Sequence, residues 1–185
     1  MPYTYQQNVD PYFENFKLIE IDDATYTKVS DFAVELVKAK AKEPHHKIDN
    51  QKEHKRFMTG FLGEAALEKF FGIPVIDWTI GPSNFYNTAD IPNYYVGIKS
   101  VEYGKFPVIF KNNFYAQMIC IRSVEKPNNI YICGLATKDV LNNCQSTELI
   151  IDPRLKARGT KTGFYGFDKL ITVNSLDDLA SYKKR

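Results

Sequence analysis

The stretch "NTADIPNYYVGIKSVEYGKFPVIF" (87–110) holds the residues best suited to chemistry. Asp90 is a lone acid, and Lys99 follows nine residues later inside an apolar, β-branched and aromatic run. Burying an ammonium is costly unless it is paired. Alternation along a strand puts Gly97, Lys99 and Val101 on one side and Val96, Ile98 and Ser100 on the other. Lys99 therefore either lines the solvent face of an edge strand or is held by nearby acids. Glu64, in "GFLGEAAL" (60–67), is the second acid of interest. It lies in a row Phe57, Phe61, Glu64, Glu68 and Phe71, which climbs one helix face at spacings of three and four. Gly60 and Gly63 beside it allow that helix to approach other backbone closely.

Two helices and then a series of strands must position these groups. "FKLIEI" reads as a short strand. Val29, Phe32, Ala33, Leu36 and Val37 make the apolar stripe of a helix entered at Asp22 and Asp23 and ending among lysines. "KEPHHKIDNQKEHKR" reads as a polar, basic loop leading into a second helix that stops at Gly72 and Pro74. "PVIDWTI", "YYVGIKSVEY", "FPVIF", "FYAQMICIRSV" and "NIYICGLAT" read as strands, "KDVLNNC" as a short helix, "LITV" as a last strand and "NSLDDLASYKKR" as a capped helical turn. This order predicts an α+β fold, a mixed β-sheet core flanked by helices.

Composition bounds the function. The chain has 185 residues, 44% apolar and 14% aromatic, with a net charge of +2. That describes one globular domain over 1–185 and offers no global electrostatic argument for nucleic acid. Any such contact must come from local clusters. "PRLKARGTKTGFYGF" is the best of them: Arg154, Lys156, Arg158 and Lys161 with interleaved Phe164, Tyr165 and Phe167 suit phosphate contact and base stacking. The competing reading is a basic loop closing a hairpin, with its aromatics in the core. The run of Lys38 to Arg56 is diluted by acids. His45, His46 and His54 lack further ligands at metal-binding spacing and read as a solvated face. Cys120, Cys133 and Cys144 show no CxxC spacing and read as reduced thiols in a cytoplasmic protein. No secretory signal and no membrane-spanning run is expected. No P-loop, GxSxG, HExxH or GxGxxG pattern is present.

The helical "GFLGEAAL" with Glu64, the entry "Asp90-Ile-Pro", "VGIKS" with Lys99, Gln117 in "FYAQMICI" and the strand-then-helix "YICGLATKDVL" together resemble the PD-(D/E)XK nuclease superfamily. The likeness covers a nuclease-like core of about 55–142, with an N-terminal helical extension and a C-terminal basic and aromatic one. It implies a restriction-endonuclease-like sheet and hydrolysis of DNA phosphodiesters, double-stranded DNA foremost, with Mg²⁺ or Mn²⁺ as cofactor. Such a cation is bound through one or two carboxylates and keeps several waters. By this resemblance Asp90 is the central ligand, Glu64 a second carboxylate, and the Ile98 carbonyl completes the sphere. Lys99 orients or deprotonates the attacking water and stabilises phosphate charge, and Gln117 hydrogen-bonds a water or the substrate backbone. Analogy with the family also implies a homodimer. The motif departs at one place: Gly97 stands where an Asp or Glu two residues before the lysine is the rule. Glu102 projects to the opposite face of a regular strand and is a poor substitute. Without that acid, a non-cleaving nucleic-acid- or protein-binding module is the alternative.

Overall fold

The computed structural model describes residues 3–41, 50–80 and 89–182. In chain order the described elements are α1 (Tyr5–Asn8), β1 (Lys17–Glu20), α2 (Asp23–Lys40), α3 (Asn50–Phe71), β2 (Val96–Glu102), β3 (Val108–Phe110), β4 (Ala116–Arg122), β5 (Asn129–Ala136), α4 (Lys138–Asn143), β6 (Gln145–Ser146), α5 (Pro153–Arg158), β7 (Lys161–Phe164) and α6 (Leu176–Ala180). The fold is mixed α+β, as the order of patterns predicts.

The central sheet runs β1-β5-β4-β2, antiparallel except for the parallel β4/β2 pair. β2 is an edge strand. A second antiparallel sheet, β3-β7-β6, lies apart from it. Each face of the central sheet has its own core. Val96, Ile98, Met118 and Cys120 pack with Met58, Leu62 and Ala66 of α3. Val101, Ile119 and Ile121 pack with Ile109, Leu141, Phe164 and Phe167. The period-two alternation of β2 and β4 is what divides their residues between these two layers.

α2 begins where its sequence says it should. Asp22 accepts from the Thr25 amide (2.8 Å) and hydroxyl (2.9 Å), an N-cap that satisfies an otherwise orphaned donor. Val29, Ala33 and Leu36 are its buried residues, and the first two share a core with α3. α3 ends at Gly72, whose φ of 70° lets the chain leave the helix while its amide still bonds to the Glu68 carbonyl.

Four sequence expectations are corrected. "PVIDWTI" forms no strand, because the Val75 and Ile76 amides both donate to Glu68 Oε1 (2.8 Å each) instead of to a neighbouring strand. The basic tail is not a loop: 153–158 is the helix α5, capped by Asp152, and Lys161–Phe164 is β7. Its aromatics are largely core, with Phe164 and Phe167 buried and Tyr165 half-buried against Tyr3. "LITV" contributes a single bridge, Ile171 to Leu135. His45 and His46 lie outside the described residues, whereas His54 is half-buried in α3 and not a solvated side chain.

Candidate functional site

A tight reversal before β2 places Asp90. Ile91 pairs with Val96 across it, the Tyr94 amide bonds the Ile91 carbonyl (3.0 Å), and Tyr95 takes a left-handed φ of 54°. A bulky residue in that region is strained, and such strain concentrates at functional sites. Because β2 is an edge strand, the reversal lays Asp90 along its free side, where Asp90 Oδ2 accepts the Ile98 amide at 2.7 Å. Amide and carbonyl of one strand residue project to the same edge, so the Ile98 carbonyl faces the side on which Asp90 lies.

Lys99 and Glu64 approach Asp90 from different directions. Lys99 shares its face of β2 with Gly97 and Val101, away from α3. It makes no hydrogen bond or ion pair with a described residue. Burial pushes its pKa down, the Asp90 charge pulls it back up, and Arg56 pushes it down again. Glu64 comes from α3, on the opposite side of the sheet. Burial, reinforced by the charges of Asp90, Glu68 and Asp77, pushes its pKa up to about 8. Asp90 is exposed, but its carboxyl turns inward to the Ile98 amide. Burial there raises its pKa, which the Ile98 hydrogen bond and Lys99 lower. Asp90, at the strand edge, is thus close enough for its charge to act on the lysine from one face of β2 and on the helical acid from the other.

The helix reaches this edge through Gly63, which is buried against β2. A Cβ at 63 would land on Ser100 Oγ and lie 2.8 Å from Ser100 Cβ. Gly60 has nothing within 4 Å of such an atom, so only one of the two glycines is needed for close approach. Glu68, the other acid of the helical stripe, is engaged by the Val75 and Ile76 amides and belongs to the fold. Glu102 points to the α3 face, as alternation requires, and pairs with Lys55 (3.2 Å) and Lys105 (3.3 Å).

Of the four basic residues in the C-terminal cluster, two join the charges around this edge. Lys161 lies over the Phe110 ring, 3.4 Å from its centroid. Burial, then Lys99, Arg158 and Arg56, push its pKa down to about 8. Arg154 and Lys156 are exposed on α5. Arg56, the end of the diluted basic run, acts on the same groups, and Tyr115, whose phenol is raised by burial and by Asp90, is a neighbour that sequence reasoning did not single out. Tyr115 was readable in principle, because it directly precedes Ala116, the register partner of Val96. Exposed aromatics at Tyr95 and Phe114 lead into these same two strand ends.

Among the described residues no group of three or more His, Cys, Asp or Glu side chains stands close enough to cage a metal. A divalent cation here would rest on Asp90 and on neutral oxygens, with Glu64 the further acid within range. The donor chemistry fits: the Ile98 carbonyl lies at the same edge, and Gln117 is buried beside Gly97 with an Oε1 that meets no donor among the described residues. No helix among the described residues is long and apolar enough to cross a membrane. Compared with protein-family models, curated proteins and solved structures, the chain matches none.

Proposed function

We propose that the chain is a divalent-cation-dependent endonuclease that hydrolyses DNA phosphodiesters, a member of the PD-(D/E)XK group by its motifs. One observation carries the reading. An acid fixed to the free edge of β2 has a partly buried lysine on one side and an acid of raised pKa on the other. In-line hydrolysis needs that set of parts. Asp90 and the Ile98 carbonyl hold the cation, with Glu64 reaching it directly or through water. The cation, when bound, polarises the phosphate and lowers the pKa of its water. Lys99 has a depressed pKa and no competing partner among the described residues, which suits it to orient the water and exchange a proton with it. Lys161, Arg158 and Arg56 supply positive potential for the phosphate backbone around the same edge.

Gly97, where the motif has an acid, favours a second reading: a nucleic-acid- or protein-binding module that does not cut. Incubation with duplex and single-stranded DNA in Mg²⁺, Mn²⁺ or EDTA separates the two. Under the first reading the parent cuts only with a divalent ion, and Asp90→Asn and Lys99→Ala each lose about a hundredfold or more. Salt-sensitive binding without metal-dependent cutting leaves the second reading. Cutting by both variants at the parental rate overturns the first.

A further inference from the structure

Gly97 and Gln117 face each other in the parallel register of β2 and β4. Their side-chain positions overlap in space. A Cβ built on Gly97 would land on Gln117 Oε1 and lie 2.7 Å from both Cδ and Nε2. The volume into which an acid at 97 would grow is thus filled by the amide of the next strand. Gln117 is only 7% exposed, and its Oε1 finds no donor among the described residues. An unsatisfied buried amide oxygen is destabilising by about 1–3 kcal/mol, and a Met or Leu would fill the same space without that cost. The amide also lies on the Lys99 face of β2, the face that an acid two residues before the lysine would share.

We infer that the side-chain carbonyl of Gln117 is a ligand of the divalent cation held by Asp90, taking over from the neighbouring strand the place of the acid absent at 97. The inference rests on the endonuclease reading for the location of the cation. Mg²⁺ and Mn²⁺ accept amide and backbone carbonyl oxygens alongside carboxylates. The ligands on this side of β2 then carry one negative charge where the motif has two. Affinity follows the number of charged ligands, so the site is a weak one that a single substitution strengthens.

The test is Mn²⁺ binding to the full chain without DNA, followed by titration calorimetry and by the electron paramagnetic resonance of free Mn²⁺. Gln117→Met keeps the volume and removes the oxygen. It is expected to weaken binding at least tenfold while the metal-free protein melts at the parental temperature or above. Gln117→Glu is expected to tighten binding tenfold or more. The double variant Gly97→Glu with Gln117→Gly, which exchanges the two positions, is expected to bind at least as well as the parent. Parental Mn²⁺ affinity in both Gln117→Met and Gln117→Glu, with Asp90→Asn still abolishing binding, overturns the inference and leaves the endonuclease reading standing. Binding that depends on both Asp90 and Gln117 in a protein that cuts no DNA supports the ligand and removes the endonuclease. Absence of any Asp90-dependent Mn²⁺ binding removes both.

Discussion

The two ends of the β2/β4 pair treat charge in opposite ways. At the C-terminal end Arg122 is 7% exposed, and each nitrogen of its guanidinium has a partner: Nε donates to the Pro127 carbonyl (3.0 Å), Nη1 to Thr59 Oγ1 (3.2 Å) and Nη2 to Tyr26 OH (3.0 Å). Beside it Glu102 is matched by two lysines. At the N-terminal end Lys99 has no ion-pair partner among the described residues, Glu64 sits near other acids, and Gln117 Oε1 has no donor. One end joins β4 to α2 and α3 through hydrogen bonds from all three guanidinium nitrogens. The other leaves these groups unmatched among the described residues, and the proposed endonuclease site rests on that contrast.

Exchanging the damage between the two ends tests that contrast most strongly. Arg122→Ala leaves the Thr59 and Tyr26 hydroxyls and the Pro127 carbonyl without their donor and opens a cavity. A loss of roughly 2–4 kcal/mol is expected, about 5–15 °C in Tm for a chain of this size. Its cutting rate below the melting temperature should stay near that of the parent. Asp90→Asn keeps an acceptor for the Ile98 amide, so its Tm should stay within a few degrees while cutting disappears. Thermal melts and rates measured on the same preparations check both. A fall in Tm for Asp90→Asn as large as that for Arg122→Ala would mean that the two ends do the same structural work.

The sequence made one end more legible than the other. The α+β class, the stripe of α2 and the end of α3 at Gly72 follow from periodicity and capping, which are local properties. Asp90, Lys99 and Glu64 were visible because an acid or a lysine among apolar residues contradicts its surroundings. The roles of three features named in the sequence depend on contacts that only the fold sets. Gln117 stands out only through the family resemblance, and its place against Gly97 appears once β4 is set parallel to β2. Glu68 looks equivalent to Glu64 until the chain after Gly72 folds back to give it two amides. Phe164 and Phe167 suit base stacking by composition, but in β7 and the turn after it they face the second core.

The same distinction between local and register-dependent features separates the two glycines of α3. Gly63→Ala drives a methyl into Ser100 and is expected to cost about 1–3 kcal/mol from overpacking, partly offset by about 1 kcal/mol of helix propensity. Gly60→Ala meets nothing within 4 Å and should gain up to about 1 kcal/mol. Denaturant melts should therefore show opposite signs. Ser100→Gly should restore Gly63→Ala and leave Gly60→Ala unchanged. Gly63→Ala should also slow cutting, because it lifts α3, and Glu64 with it, away from the edge where Asp90 lies.

The last effect follows from the raised pKa of Glu64 and is confined to one pH window. A carboxyl that titrates near 8 in the folded chain, and near its ordinary value when unfolded, binds a proton more tightly in the folded state. The folded state then holds more protons than the unfolded one between about pH 4.5 and 8, so stability falls as pH rises through that window and levels off above it. Other groups titrate in the same range, and Glu64→Gln isolates this contribution. The amide should match the parent near pH 4.5, where both side chains are neutral, and exceed it at pH 8.5, where only the parent must carry a charge. The advantage of the amide at pH 8.5 is read as a rise in Tm that is absent near pH 4.5. Mn²⁺ at pH 8.5 should narrow this advantage, because a bound cation favours the ionised carboxylate. Equal stability at both pH values would show that Glu64 is already satisfied by the fold. It would then belong with Glu102 and Arg122, and Asp90 would hold the cation without a second acid.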